Sequence, residues 1–306
     1  MKLKFIWLGF AFAFLWASAS TATKIALQSA QPFVIAVSRF FIAGIIMLLT
    51  AHVIMRKRLP KQQEWKPIII YGLMNVSLYL GLFVLAMQKV SAGLGTLAVG
   101  VNPVIINIMA AMVFRQRIAA AGITSLLLCC TGVFIAAWPL LQTSYASVDG
   151  IAIMLASMIA YSAGAIYYSK TDWKGLDILT INGWQTLLGG IFLLPILFFT
   201  FKTERNVFDL KFWGGTLWLV IPVSIGAVQC WMILLKNNAA KAAYWLFLCP
   251  VFGFIIAWIF LKEPLTLYTL VGVLFVIAGL YIVQKYKIAE ANRYRYNQPK
   301  CASPEF

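Results

Sequence analysis

Residues 102–132 read NPVIINIMAAMVFRQRIAAAGITSLLLCCTG, and residues 249–279 read CPVFGFIIAWIFLKEPLTLYTLVGVLFVIAG. Each stretch opens on an X-Pro step, Pro103 or Pro250, and closes on a glycine, Gly132 or Gly279. Between them an apolar run is broken once by a short charged turn. The turn is Val113-Phe114-Arg115-Gln116-Arg117-Ile118 in the first copy and Phe260-Leu261-Lys262-Glu263-Pro264-Leu265 in the second. Extended outward, to Ser91–Phe114 and Ala119–Ala137 in the first copy and to Ala240–Leu261 and Leu267–Lys285 in the second, each apolar run is long enough to cross a bilayer core, which takes about 17–25 residues. The same pair of spans, joined by the same kind of turn, therefore occurs twice in one chain.

Working outward, the whole chain resolves into such runs. Ten helical spans are expected: Phe5–Ala22, Phe33–Ile54, Pro67–Met87, Ser91–Phe114 and Ala119–Ala137, then Val148–Ser169, Ile178–Phe201, Phe212–Leu235, Ala240–Leu261 and Leu267–Lys285. Strands are excluded, because barrel segments alternate apolar and polar residues over roughly ten positions. The fold class is an all-α membrane protein of ten transmembrane helices. Its domains are a first five-helix repeat over 1–140, a second over 141–287, and a cytoplasmic tail over 288–306. Five spans is an odd number, so the second repeat enters the membrane inverted, as in many transporters. The N-terminal Met1-Lys2-Leu3-Lys4 and the apolar run after it look like a signal peptide. The repeat needs that run as its first helix, so it is expected to stay.

Composition supports a membrane chain: 62% of the 306 residues are hydrophobic and only 11% charged, against roughly 25% charged in soluble domains. The net charge of +16 comes from basic residues in short connections, with no basic face for nucleic acid. Their placement sets orientation. Six of the 25 Lys and Arg, namely Lys24, Lys89, Lys202, Arg205, Lys211 and Lys262, fall on one side of the membrane, and Arg39 lies within the second span. The other eighteen fall on the opposite side. The heavily basic side is expected to be cytoplasmic, with both termini, in the inner (plasma) membrane. The five cysteines form no C-x-x-C or His/Cys cluster, so no metal, cofactor or catalytic residue is expected.

Several stretches resemble EamA-type members of the drug/metabolite transporter superfamily. They are Leu15-Trp16-Ala17-Ser18 leading to Lys24, Arg39-Phe40-Phe41-Ile42-Ala43-Gly44, Gly72 through Pro103, Phe260 through Leu265, and Ile277-Ala278-Gly279-Leu280. The resemblance covers about residues 5–285. It implies a ten-helix exporter or exchanger of small metabolites, often amino acids or related compounds. The turn after helix 4 commonly carries a Glu in such proteins. Glu263 fits in the second copy, whereas the first has Gln116.

Polar groups inside spans are costly and are the default site candidates. The substrate-binding candidates are Trp16, Asn75, Tyr79, Asn102, Tyr161, Trp184, Gln185, Gln229 and Tyr244, in a site at the bilayer midplane walled by helices 1, 3, 4, 6, 8 and 9, with help from helix 7. Lys24 and Arg39 are the charge or gating candidates. Lys24 has snorkelling to the outer headgroups as its plain alternative. Arg39 is deep enough to meet a substrate carboxylate or a helix C-terminus. Pro103 and Pro250 are expected to kink their helices and free the carbonyls of Val99 and Leu246. Trp7, Trp138, Trp213 and Trp258 are expected as interface anchors. None of the nine acidic residues is central in a span, so coupling through a buried carboxylate is not expected. His52 is expected near an interface.

The expected function is secondary transport of a small molecule, with the lipid bilayer as solvent and the chain a monomer or weak homo-oligomer. The rivals are an intramembrane enzyme and a membrane receptor or scaffold. The first has almost no nucleophile, base or metal set to build on. The second has no extramembrane piece longer than the tail.

Overall fold

The computed structural model describes residues 3–115, 119–143, 145–231, 233–234 and 244–297. Ten helices follow one another: α1 (Leu3–Ala26), α2 (Pro32–Ile54), α3 (Gln62–Ala86), α4 (Ala92–Val113), α5 (Ala120–Leu141), α6 (Val148–Lys170), α7 (Ile178–Thr200), α8 (Leu210–Trp231), α9 (Leu248–Leu261) and α10 (Leu267–Asn297). Among the described residues the only β-pairing is a lone bridge between Val90 and Ala146. Nine of the helices are long and apolar enough to cross a bilayer, and the apolar helix Trp245–Leu261 is shorter.

The boundaries differ from expectation where polar capping extends a helix. α3 begins at Gln62, not Pro67, because the Glu64 carboxylate takes the Lys61 N–H at 2.7 Å and pairs with Arg58 at 2.7 Å. That hydrogen-bonded pair in turn holds the Arg58 guanidinium above its ordinary value. Ser91, Ser147, Asp177 and Asp209 each accept a backbone N–H at the start of α4, α6, α7 and α8, the usual preference for short oxygen-bearing side chains at N-caps. The Phe212 N–H holds the Asp209 carboxyl below its usual range. α10 continues as helix to Asn297, into the segment expected as tail. The expected starts and ends at Ala240 and Leu235, and the Gln116–Ile118 turn, lie outside the described residues.

Pro250 is not in the middle of a helix. A 3₁₀ turn, Tyr244–Phe247, precedes α9, and Pro250 sits in the first turn of α9. A missing N–H costs little there, since the first N–H groups of a helix have no intrahelical partner. Pro103 does lie within α4. It leaves the Val99 carbonyl without its helical donor.

Three helices are not α-helical throughout, and α2 ends in a π-helical turn over Thr50–Ile54. Residues Leu73–Leu78 of α3 and Leu219–Ala227 of α8 are π-helical. π-turns are rare and frequently sit at functional sites. The last helices of the two repeats, α5 and α10, pair closely through small residues. A Cβ on Gly132 would lie 2.6 Å from the Gly272 carbonyl oxygen, and one on Gly272 would lie 2.5 Å from that of Gly132. Such backbone approach is how membrane helices associate without a hydrophobic drive. This pair, with Leu97, Val104, Val276 and Leu280, forms a core on one flank of the molecule. The remaining helices are left to enclose a space.

Candidate functional site

That space is a cavity of about 140 Å³. Its walls come from α1 (Trp16, Ala19, Ser20), α2 (Arg39, Met47), α3 (Asn75, Val76, Tyr79, Leu80, Phe83), α4 (Thr96, Val99), α6 (Tyr161), α7 (Asn182, Gln185, Thr186) and α8 (Val223, Ser224, Val228). Both repeats contribute. α9, expected as a wall, supplies no lining residue, while α2 and α7 supply several. Val99, with its carbonyl released by Pro103, is on the wall.

The polar groups inside form two sets. On one side Asn75 Nδ2 donates to Gln185 Oε1 at 3.2 Å, and Gln185 Nε2 donates to Asn182 Oδ1 at 2.8 Å. This amide chain links α3 to α7. Ser77, two residues on, donates to the Gly189 carbonyl at 2.9 Å and holds the same two helices together. On the other side Arg39 Nε and Nη2 both donate to Ser224 Oγ, at 3.2 and 3.1 Å. The Tyr79 and Tyr161 rings meet at 4.8 Å between centroids, and the Tyr79 carbonyl accepts from Ser157 at 3.0 Å. Trp16 packs against Phe12 on the α1 side.

The cavity is not symmetric between the two faces of the molecule. Toward the face that carries Arg56 and Lys174, a second space of about 180 Å³ shares Met47, Asn182, Ser224 and Val228 with it. That space reaches Met55, Asp177 and Ile178 at the helix ends. Toward the opposite face the space that borders the cavity is about 10 Å³, pressed between Arg39, Leu80, Phe83 and Leu219, and a separate groove of about 280 Å³ between α1, α8 and α9, lined by Ser18, Thr21, Trp218 and Phe260, shares no lining residue with the cavity.

Above that plug the connections are tied together. Lys24 Nζ donates to the Met87 and Val90 carbonyls, both at 2.7 Å. The Glu263 carboxylate accepts the N–H groups of Ala92 and Gly93, at 2.6 and 3.1 Å. The α3–α4 turn is thus held at its carbonyl end by a cation and at its amide end by an anion. These are the signs that the end of one helix and the start of the next call for. Gln31, in the α1–α2 turn, accepts from Lys202 N at 2.7 Å and from Asn206 Nδ2 at 2.9 Å. It also donates its backbone N–H to Asn206 Oδ1 at 2.8 Å. Lys89 pairs with Asp149.

Of the expected site residues, the structure brings Trp16, Arg39, Asn75, Tyr79, Tyr161 and Gln185 together around one cavity. Others are elsewhere. Trp184 donates to His52 Nε2 at 3.2 Å and packs edge-on to Trp65. Residues 182 and 185 share a helix face, and 184 does not. Gln229 lies in the second space, not the first. Asn102 is buried beyond the lining, its Oδ1 without a partner. Lys24 does not snorkel: two carbonyls within reach replace water for its ammonium. The Tyr244 side chain lies outside the described residues. Ser224 was missed as a site residue, although it is the only polar side chain in LVIPVSIGA, residues 219–227. Trp7, Trp138, Trp213 and Trp258 are all exposed on the outside.

A family model described as the EamA-like transporter family matches the chain twice, at residues 3–138 and 149–284. A protein of Archaeoglobus fulgidus named as an uncharacterized transporter is 29% identical over 271 residues, 88% of this chain and 94% of its own. Protein PecM of Dickeya dadantii is 25% identical over 273 residues, 88% of each chain. A WAT1-related chloroplast protein of Arabidopsis thaliana is 26% identical over 289 residues, covering 88% of this chain and 67% of its own. A protein known from a crystal structure superposes with a TM-score of 0.65 at 16% identity, over 94% of this chain and 98% of that one, and so has the same fold.

Proposed function

The chain belongs to the EamA-like transporter family, within the drug/metabolite transporter superfamily, and from that premise we propose that it is an inner-membrane secondary transporter, exporter or exchanger, of small metabolites such as amino acids or related amphiphiles. It is a multi-pass membrane protein with a duplicated five-helix unit. One observation carries the reading. A cavity between the two repeats continues toward one face and is shut by plugs and ties toward the other. A carrier that works by alternating access needs such a state, with its site at mid-depth between the repeats.

The purified chain in liposomes is expected to move substrate down its own gradient with no imposed pH gradient, because no carboxylate of the described residues lines the cavity. Flux of a radiolabelled amino-acid panel measures this. Flux that stops whenever the pH gradient is collapsed would sink the expectation, and Asp149 and Glu263 would then be the groups to change first. A binding protein or an intramembrane enzyme would give no flux at all.

Orientation follows the excess of Lys and Arg on one face. In a cysteine-free background a cysteine at Val207 is expected to react with an impermeant thiol reagent added to whole cells, and one at Leu59 is not. Both native side chains are exposed. The reverse pattern would overturn the assignment of the Leu59 face to the cytoplasm.

A further inference from the structure

Among the described residues Arg39 is the one charged residue in the cavity wall. It lies eight residues into α2, about 10 Å from the start of that helix at 1.5 Å per residue. Two of its donors converge on one hydroxyl, Ser224 Oγ, and its guanidinium stands 5.7 Å from the Phe40 ring centroid. A hydroxyl and a ring do not neutralise a guanidinium. The ion pairs among the described residues, Lys57–Asp177, Arg58–Glu64 and Lys89–Asp149, are all at helix ends. The other acids whose side chains are described, Asp172, Glu204, Asp209 and Glu263, also lie in connections or caps. A charge held inside a membrane protein normally faces a partner or a wet path, and the structure supplies Arg39 with the cavity instead of a partner.

We propose that the cavity takes an organic monoanion: its carboxylate is received by Arg39 together with Ser224, and a small apolar body lies against Trp16, Tyr79 and Tyr161. This rests on the transport reading and narrows its substrate class. The fork of a guanidinium matches a carboxylate with two parallel N–H···O bonds, and such charge-assisted bonds are about twice as strong as neutral ones. The body is small. A cavity of roughly 150 Å³ lined by apolar side chains holds one benzene ring, and the space of about 140 Å³ here continues past Ser224 into the further space of about 180 Å³, which leaves room for a two-carbon link and a head group. A net cation is refused, since it would add a second positive charge beside Arg39 with no acid to receive it. A zwitterion places its ammonium among the amides of Asn75, Gln185 and Asn182, which already bond one another. It therefore binds less well than the anion with the same body.

The test uses four compounds that share a phenylethyl body and differ in head group: 3-phenylpropionate, phenylalanine, phenethylamine and 3-phenylpropionamide. Thermal stabilisation of the purified full chain is read for each. 3-Phenylpropionate is expected to stabilise most, phenylalanine less, and the amine and amide not at all. Arg39→Gln should weaken the apparent affinity for 3-phenylpropionate roughly thirtyfold or more, the loss typical when one partner of a buried, hydrogen-bonded charge pair is removed, and Arg39→Lys should restore part of it. The proposal is overturned if phenylalanine, the amine or the amide stabilises as well as the anion, if none of the four stabilises, or if Arg39→Gln leaves the anion's effect intact. The head-group ranking is read in the unaltered chain, so it stands as a test even if Arg39→Gln fails to fold. Liposome flux of labelled 3-phenylpropionate separates the two readings. Binding without flux sinks transport and keeps the charge assignment, whereas flux of the amide equal to that of the acid does the opposite.

Discussion

Replacing Glu263 by Gln should unlock the face of the molecule that the native chain holds shut. Both Glu263 oxygens accept backbone N–H groups at the start of α4, from Ala92 at 2.6 Å and Gly93 at 3.1 Å, and the side chain is only 5% exposed. Gln keeps the shape but turns one acceptor into a donor, which then faces a donor. Hydrogen bonds to a charged group contribute about 1.5–3 kcal/mol each. Losing one shifts an open-to-shut equilibrium by roughly 10- to 150-fold. The reporter is a cysteine at Leu80, which borders both the cavity and the plug above it. In a cysteine-free background its reaction with an impermeant reagent, added from the side of the Lys202–Lys211 connection, should rise by about that factor. An unchanged rate, in a protein that melts normally, would mean that the Glu263 contact does not hold this face closed.

Gln185→Leu is expected to remove nearly all flux while the protein still folds. Gln185 is the middle of the chain from Asn75 to Asn182 and is 5% exposed. Leu is of similar size, so the walls of α3 and α7 stay packed. It leaves two amides in the cavity without their protein partner, and each unpaired group costs about 1–3 kcal/mol. Those amides then turn to water or to substrate, and the polar geometry of the site is lost. Flux in liposomes should fall by about tenfold or more on that scale. Trp258→Ala, at a side chain 52% exposed on the outside, should change flux little. If Gln185→Leu transported at the native rate, the amide chain would be scaffolding only.

The fold was legible because bilayer crossing imposes length and apolarity on each span. The doubled pattern from Pro103 to Gly132 and from Pro250 to Gly279 showed that there are two copies. The site was legible only in part. Apolar spans have so few polar residues that Arg39, Asn75, Tyr79, Tyr161 and Gln185 stood out. In a helix with apolar residues all round, no periodicity tells which face looks inward, and so Trp184 and Gln229 were taken along with their neighbours. Lys24 and Glu263 could not be assigned partners. Each bonds backbone, at Met87, Val90, Ala92 and Gly93, and backbone atoms leave no mark in a sequence. The first copy has Gln116 where the second has Glu263, so its sequence offers no carboxylate at that position.

The π-helical stretches of α3 and α8 begin at Leu73 and Leu219, the same place in the two matched units that start at 3 and 149. Each borders the cavity: Asn75 and Val76 lie in the first, Val223 and Ser224 in the second. A π-turn holds one more residue than the α-turn it replaces. In evolutionary terms each wall therefore already carries an insertion that its helix has absorbed. Deleting one residue there returns the turn to α and changes which side chains of that turn face the cavity, while the helix on either side keeps its register and its place in the membrane. Lineages built on this duplicated unit thus have a place where the lining can be exchanged wholesale by a single codon, without re-registering any of the ten helices.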